Sequence, residues 1–411
     1  MAQCTIITIG DELLIGQVID TNSAFIAQEL NKLGISIKNR IAIADKESEI
    51  IDTISNAMKT SEIVITTGGL GPTKDDITKH SLCKLFNVSL KRDEETYLHV
   101  KSFFESRGRE FTEINQSQAD IPQNAIVLFN ERGTAPGIWI EEKNRILVCL
   151  PGVPFEMEHL IQKKVVIALE HHFKIPSLYY SFIQTAGLGE SFLAREIEDI
   201  EEAIPENISL AFLPSPYRVN LRLSGSEEDK TTIDAISLEI KKRLQAYVYG
   251  DSKEDIFKVV LNSLIKKNQL ISFAESCTGG YLANEFTNYS GSSECFKGSF
   301  VVYSDQEKIQ MLNVSKELID QYTVYSQECA VDMLQKLLIK TNSDFGISTT
   351  GIIEKSEKNP KPKVFIAYGK QNDFKTLELD LFYPRKKNKE AIAYAAMIHL
   401  YKDYIRCEKP L

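Results

Sequence analysis

The feature that most constrains this chain is a unit that recurs near its start. A short apolar, β-branched run ends in a turn of glycines and acids, and a helix-length amphipathic stretch follows. Residues 5–9 lead into Gly10-Asp11-Glu12, and residues 23–33 read as a helix stopped by Gly34. Residues 35–43 repeat the strand, 47–59 the helix, and 63–66 enter Gly68-Gly69-Leu70-Gly71-Pro72. Later, a strand at 145–150 runs into Pro151-Gly152-Val153-Pro154. Such alternation implies a mainly parallel sheet with helices on both faces. It predicts a three-layer α/β domain over about residues 1–170.

The rhythm then breaks. Strands at 178–185, 209–212 and 218–224, with helices at 190–202 and 231–247, describe a small α+β domain over residues 171–250. From Asp251 the βα order returns, with strands at 270–274, 300–303, 345–349, 364–368 and 377–382, so a second three-layer α/β domain spans 251–411. The fold class is therefore α/β, with two such domains joined by the small α+β domain. A length of 411 residues agrees with two to three domains at about 150 residues each.

Charge and cysteine usage narrow the function. There are 48 basic and 57 acidic residues, so 48 − 57 = −9, which lacks the broad cationic footprint of a nucleic-acid binder. No apolar run approaches the roughly 20 residues that cross a bilayer. Seven cysteines, an odd number with no CxxC, point to reduced thiols in a cytoplasmic protein. The six histidines are dispersed and form no HExxH.

Acids gather at strand ends in the first block. Asp11 and Glu12 follow the first strand, and Asp75 and Asp76 follow the glycine loop. Groups just beyond the carboxyl ends of strands converge on one crevice. Gly68, Gly69 and Gly71 let backbone N–H groups approach phosphate oxygens, and carboxylates at 11 and 75 would hold a divalent ion. Helix caps and turns are the competing reading, above all for Asp20 and Asp76. Neither GxxxxGK[ST] nor GxGxxG is present.

In the last block, Ser276 stands in Ala274-Glu275-Ser276-Cys277-Thr278-Gly279-Gly280, on a turn between strand and helix. Its hydroxyl can project into a crevice beside free backbone amides that would stabilise an oxyanion. A hydroxyl needs activation, and no GxSxG or histidine triad offers it. Lys308 is the candidate base, with Tyr303 to orient it or the substrate. Ser276 as a helix cap, Lys308 as a solvated cation and Cys277 as a rival nucleophile stay open.

The segments GDELLIGQVIDTN (10–22), TTGGLGPTKDD (66–76), NQSQA (115–119), GTAPG (133–137) and PGVPFEM (151–157) resemble the competence/damage-inducible protein A family, CinA. That family's N-terminal domain is similar to molybdopterin-binding domains. The resemblance implies hydrolysis of ADP-ribose to AMP and ribose 5-phosphate with a divalent metal such as magnesium or manganese, aided by potassium. Asp11 and Asp75 would bind the metal, Asp75 would be catalytic, and Gly68, Gly69 and Gly71 would hold the nucleotide.

LGES (188–191) and AFLPSPYRVNLRLS (211–224) resemble the family's KH-like domain. No GxxG occurs between 171 and 250, so a structural or dimerising role is expected rather than RNA binding. AESCTGG (274–280), FKGS (296–299) and VVYSDQEK (301–308) resemble the family's nicotinamide mononucleotide deamidase domain. There Ser276 would be the nucleophile, Lys308 the base and Tyr303 a support, while Thr350 and Gly351 begin the substrate loop.

Two departures stand out. The family's TGIAGPxGG reads TGIIEKSEK (350–358), and its GAVS reads TVYS (323–326). The lost glycines would cradle a phosphate; Lys355, Lys358, Lys361 and Lys363 are candidate replacements for that charge. The expectation is thus a homodimeric ADP-ribose pyrophosphatase acting on small nucleotides, with deamidation as a second activity. A nucleotide-binding regulatory or scaffold protein, or a pterin-binding protein, is the alternative.

Overall fold

A computed structural model describes residues 2–73, 76–173, 178–357 and 361–406. The chain divides into two compact units, Met1–Leu178 and Tyr179–Leu411.

In the first unit, β1 (Gln3–Ile9), β2 (Ser36–Ile43) and β3 (Ile63–Thr67) are followed by a separate ribbon of β4 (Leu90–Arg92) and β5 (Asp120–Pro122). Next come β6 (Ile126–Leu128), β7 (Gly137–Glu142) and β8 (Arg145–Leu150), completing a sheet of order β2-β1-β3-β8-β7-β6. The first four of these run parallel and the last two antiparallel. Successive residues of one strand point to opposite faces. Ile6, Ile65 and Val148 therefore pack with Ile26, Leu30 and Leu160, while Ile7, Val64 and Leu147 pack with Ile50, Ile54 and Leu82. Burial on both faces explains why these strands read as continuous apolar runs. Each such side chain stabilises the fold by about 1.5–3 kcal/mol.

The second unit opens with β9 (Leu178–Ala186), β10 (Ser209–Ser215), β11 (Arg218–Ser226) and β12 (Val248–Gly250), in sheet order β10-β11-β9-β12. Helices cover one face around Ile183, Leu221, Leu223 and Ile233. The single helix expected over 190–202 is two, Glu190–Glu196 and Glu198–Glu202. The chain turns at Ile197, which lets Leu193, Ile197 and Ile200 all reach that core.

The remainder of the unit forms β13 (Ile271–Glu275), β14 (Phe296–Val301), β15 (Phe345–Gly351), β16 (Lys363–Gly369) and β17 (Phe374–Asp380), ordered β14-β13-β15-β16-β17. The strands β14, β13 and β15 are parallel, and their carboxyl ends share one edge.

Within this unit the β10–β11 turn docks on the closing helix Arg385–Leu400. Tyr217, at φ 69°, shares a 2.9 Å hydrogen bond with His399 Nε2. The Arg218 guanidinium lies 3.2 Å from the centre of the Tyr394 ring, with Asp255 at 3.6 Å and Glu390 at 3.4 Å. Its side chain is only 12% exposed. Arg218→Ala would leave Asp255 without its cation and a tyrosine face uncovered, while Glu390 keeps its pair with Lys387 at 2.8 Å. We expect a loss of about 2–4 kcal/mol in urea unfolding; a change below about 0.5 kcal/mol would refute this account of the docking.

Candidate functional site

The strand β13 delivers Glu275 and Ser276 to the sheet edge, and the next helix, Tyr281–Thr287, begins only after Gly280. Ser276 does not cap that helix. The buried Glu275 carboxylate does so, accepting from the amides of Leu282 and Ala283 at 3.0 Å each and from Ser299 Oγ at 2.9 Å. The Ser276 hydroxyl is left for other work.

Lys308 meets it. Ser304 caps the helix Asp305–Leu312, whose first turn aims Lys308 inward until only 1% of the residue is exposed. Its Nζ donates to Ser276 Oγ at 3.0 Å and to Val302 O at 3.1 Å. No carboxylate pairs with it among the described residues. Burial lowers its pKa below the ordinary lysine range, against the partial opposing pull of Cys329, Asp305 and Cys277. Cys277 is also buried, and burial pushes its thiol up to about 12, which suits a packed thiol rather than a rival nucleophile.

The hydroxyl opens on a cavity of about 230 Å³ lined by Ser276, Tyr303, Tyr325, Gly351, Glu354 and Arg385, among others. Between Ser276 and Gly280 the chain turns through two left-handed glycines, Gly279 at φ 61° and Gly280 at φ 90°. The amides of Thr278 and Gly280 make no hydrogen bond among the described residues, and neither residue is part of the cavity lining. The Tyr303 ring stands at the rim, where its hydroxyl accepts from Arg385 at 2.7 Å. Gly351 lines the cavity, but the Thr350 hydroxyl turns away to donate to Val324 O at 2.6 Å. The loop after Gly351 is held from below by Asn388, whose amide donates to Ile353 O at 2.8 Å. Of the lysines expected to replace lost phosphate contacts, Lys363 pairs with Glu378 and Lys358 lies outside the described residues. Lys355, Lys361 and Lys363 do not line the cavity.

Tyr325, Glu354 and Arg385 were not singled out by sequence. Tyr325 and Glu354 lie within the two altered segments, TVYS (323–326) and TGIIEKSEK (350–358), which were the signal that could have found them. The altered TVYS segment leaves a second mark: Thr323 adopts φ 69°, ψ 166°, a conformation that suits glycine and strains a β-branched residue. Thr323→Gly is expected to raise stability by about 1 kcal/mol or more in thermal unfolding. No gain would mean that the bond from Tyr325 N to Thr323 Oγ1, at 3.3 Å, outweighs the strain.

In the first unit, the ends of β1, β3 and β8 converge on a crevice of about 420 Å³ lined by Gly10, Asp45, Gly68, Asp76, Gln118 and Glu156, among others. Gly69 and Gly71 line it too. Gly68, at φ 116°, packs so close that a Cβ would lie 2.2 Å from Ile9 O. Asp11 begins the short helix Asp11–Leu14 and does not line the crevice; Asp75 lies outside the described residues. The acid that faces the crevice from the end of β2 is Asp45. Burial raises its pKa, a hydrogen bond from the Asp11 backbone opposes this, and the charges of Asp11, Glu12 and Asp76 raise it further. The strand-end rule that picked Asp11 also points to Asp45. Lys79, pushed down to about 8 by burial, donates to the carbonyls of Ser117 at 2.9 Å and Gln118 at 3.4 Å. That clamp fixes the NQSQA segment. Among the described residues no group of three or more His, Cys, Asp or Glu side chains is placed to hold a metal ion, and no helix is long and apolar enough to cross a membrane.

Three family models match along the chain. They are described as "Probable molybdopterin binding domain" over residues 5–171, "Damage-inducible protein CinA KH domain" over 181–250 and "CinA C-terminal domain" over 253–404. A "CinA-like protein" of Flavobacterium psychrophilum is 40% identical, with 98% of this chain and 99% of that one covered. Another, of Cytophaga hutchinsonii, is 39% identical over 95% of this chain and 96% of its own. A solved structure titled as the protein CinA with unknown function, from Thermoplasma acidophilum, is 32% identical with a TM-score of 0.38, covering 40% of this chain and 98% of that one. These findings correct the expected ADP-ribose pyrophosphatase activity. The N-terminal block matches a binding-domain model rather than a pyrophosphatase, and the full-length relatives are named CinA-like without that activity. Asp11, expected to hold the metal, presents its backbone to Asp45 and is not part of the crevice lining.

Proposed function

The chain belongs to the CinA family, and from that premise we propose that its C-terminal cavity hydrolyses a carboxamide of the nicotinamide-nucleotide class. One observation carries this reading: a buried lysine amine without a carboxylate partner stands 3.0 Å from the hydroxyl of Ser276. Burial of a lysine costs stability, and an unpaired one held against a hydroxyl in a cleft marks a candidate functional site.

With the Lys308 amine neutral, Ser276 Oγ–H gives its proton to Nζ as Oγ bonds to the amide carbon. Backbone amides of the turn that follows Ser276 stabilise the oxygen that becomes negative. The C–N bond then breaks, and Lys308 returns the proton to the departing nitrogen as ammonia. Water adds to the acyl ester, again losing a proton to Lys308. The ester C–O bond breaks with reprotonation of Oγ, leaving a carboxylic acid that ionises in water. Tyr303 lines the path of the substrate ring, and Gly351 keeps the opposite wall free of side chain.

Purified protein should therefore release ammonia from a nicotinamide nucleotide. Its kcat/KM should rise with pH through a lysine value below the ordinary 10.5 and then level off, because only the neutral amine accepts the proton. A basic limb at the ordinary lysine value, or no ammonia at any pH, would refute the assignment.

A second reading concerns the first unit, for a different reason. Gln118 is 1% exposed, lines the crevice, and its Oε1 has no hydrogen-bond partner among the described residues. An orphaned buried acceptor suits a ligand bearing N–H donors, such as the pterin edge of a molybdopterin-type molecule. Calorimetry with a reduced pterin should give binding that Gln118→Leu weakens about tenfold or more. Equal binding by both proteins would refute it.

A further inference from the structure

The rim of the Ser276 cavity combines two aromatic rings, one carboxylate and one guanidinium, and their pairing bears on what can enter. Tyr303 and Tyr325 line the cavity while remaining 59% and 51% exposed, so their rings are open to a ligand. Glu354 lines it from the loop after Gly351. Arg385, the one guanidinium in the lining among the described residues, already donates through Nη2 to Tyr303 Oη at 2.7 Å, and its Nη1 lies 3.5 Å from Glu354 Oε2. Lys389, one turn further along the same helix, reaches toward Gly279 and does not line the cavity.

Resting on the carboxamide reading above, we propose that Glu354 sets the specificity of this cavity toward a cationic aromatic carboxamide that carries no phosphate. Aromatic faces with a nearby carboxylate attract a quaternary ring nitrogen. A phosphate would normally use the planar fork of an arginine, taking two parallel hydrogen bonds. Here that fork is shared between a tyrosine hydroxyl and a carboxylate. A phosphate arriving at Arg385 meets the negative charge of Glu354 and must displace it. The size of the cavity, about 230 Å³, lies below the usual range for drug-sized ligands, which suits a ring with one sugar and not a dinucleotide. The favoured class is thus an N-ribosylated pyridinium carboxamide, with the 5′-phosphorylated form as the disfavoured neighbour. The reaction is unchanged: carboxamide and water give carboxylate and ammonium.

The test compares nicotinamide riboside with nicotinamide mononucleotide on the full chain, wild type and Glu354→Gln. Ammonia release and calorimetric binding are measured side by side. The wild type should favour the riboside in kcat/KM by about fivefold or more. Glu354→Gln should improve the mononucleotide by about fivefold through KM, and weaken the riboside severalfold, so that the preference inverts. Because Glu354 is exposed at the rim, the variant should unfold at the wild-type temperature. A wild type that favours the mononucleotide, or a preference ratio unmoved by Glu354→Gln, would overturn the proposal. If neither ligand releases ammonia, the amidohydrolase reading fails on its own, and the ratio of the two dissociation constants still decides the role of Glu354. No binding of either ligand would overturn both.

Discussion

Ser276→Ala is expected to lower ammonia release by about a thousandfold or more while leaving the fold intact, because it removes the atom that bonds to carbon. Its hydroxyl caps no helix, since Glu275 holds the amides of Leu282 and Ala283, so a structural loss should not accompany the kinetic one. Lys308→Met should be as inactive and yet more stable, by about 0.5–2 kcal/mol, because it replaces a buried amine with an apolar chain. The sign of the pH dependence follows from the lowered value of Lys308. The unfolded chain holds the proton more tightly, so the penalty is full below the folded value and shrinks as pH rises. It vanishes above the ordinary lysine range. The gain from Lys308→Met should therefore be largest at neutral pH and absent in strong alkali. Denaturant titrations at two pH values would check this; a Met variant less stable than wild type at neutral pH would contradict the burial cost.

Gly351→Ala is expected to be the most damaging small substitution in the second unit. Gly351 sits at φ 145°, and a Cβ there would lie 2.4 Å from Lys363 O and 2.6 Å from Val364 Cα. Both are backbone atoms of β16, held in register with β15 through the Gly351–Val364 pair. Neither can retreat without opening the ladder. A loss of about 3 kcal/mol or more is expected, with a further fall in ammonia release by the folded fraction, since the residue also walls the cavity. An unfolding midpoint within about a degree of wild type would show that the loop can reshape at little cost.

Several parts of the site are legible in the order of residues alone. The strand-end rule locates Gly68, Gly69 and Ser276, because a parallel sheet gathers its carboxyl ends on one edge whatever the loops contain. The same rule reaches Asp45, just past the end of β2, and names both Asp11, whose carboxylate is not part of the crevice lining, and Glu12, which is. Which of two neighbouring acids turns inward depends on the backbone of a four-residue helix, and no spacing records that. The choice between Ser276 as cap and Ser276 as free hydroxyl is likewise undecidable locally. It turns on Glu275, the preceding residue, being buried where the helix amides point.

The remaining site residues are far apart in the chain. Tyr303 and Arg385 are separated by 82 positions yet share a 2.7 Å hydrogen bond. Arg218 of the small sheet reaches Tyr394 of the last helix. Strands β4 to β7 went unread, and the strand expected at 300–303 lies at Phe296–Val301. By itself the sequence determined the α/β class, the strands β1, β2, β3, β8, β13 and β15 in their order, and the glycine-led turns after β1 and β3. These follow from residue periodicity and from φ values that only glycine adopts freely, which are properties of neighbouring residues. Tertiary structure alone decided that Lys308 is buried against Ser276, that Arg385 is occupied by Glu354, and that Asp45 replaces Asp11 at the crevice. Each of those is a contact between distant segments, set by how whole layers pack, and a linear pattern carries no measure of that distance.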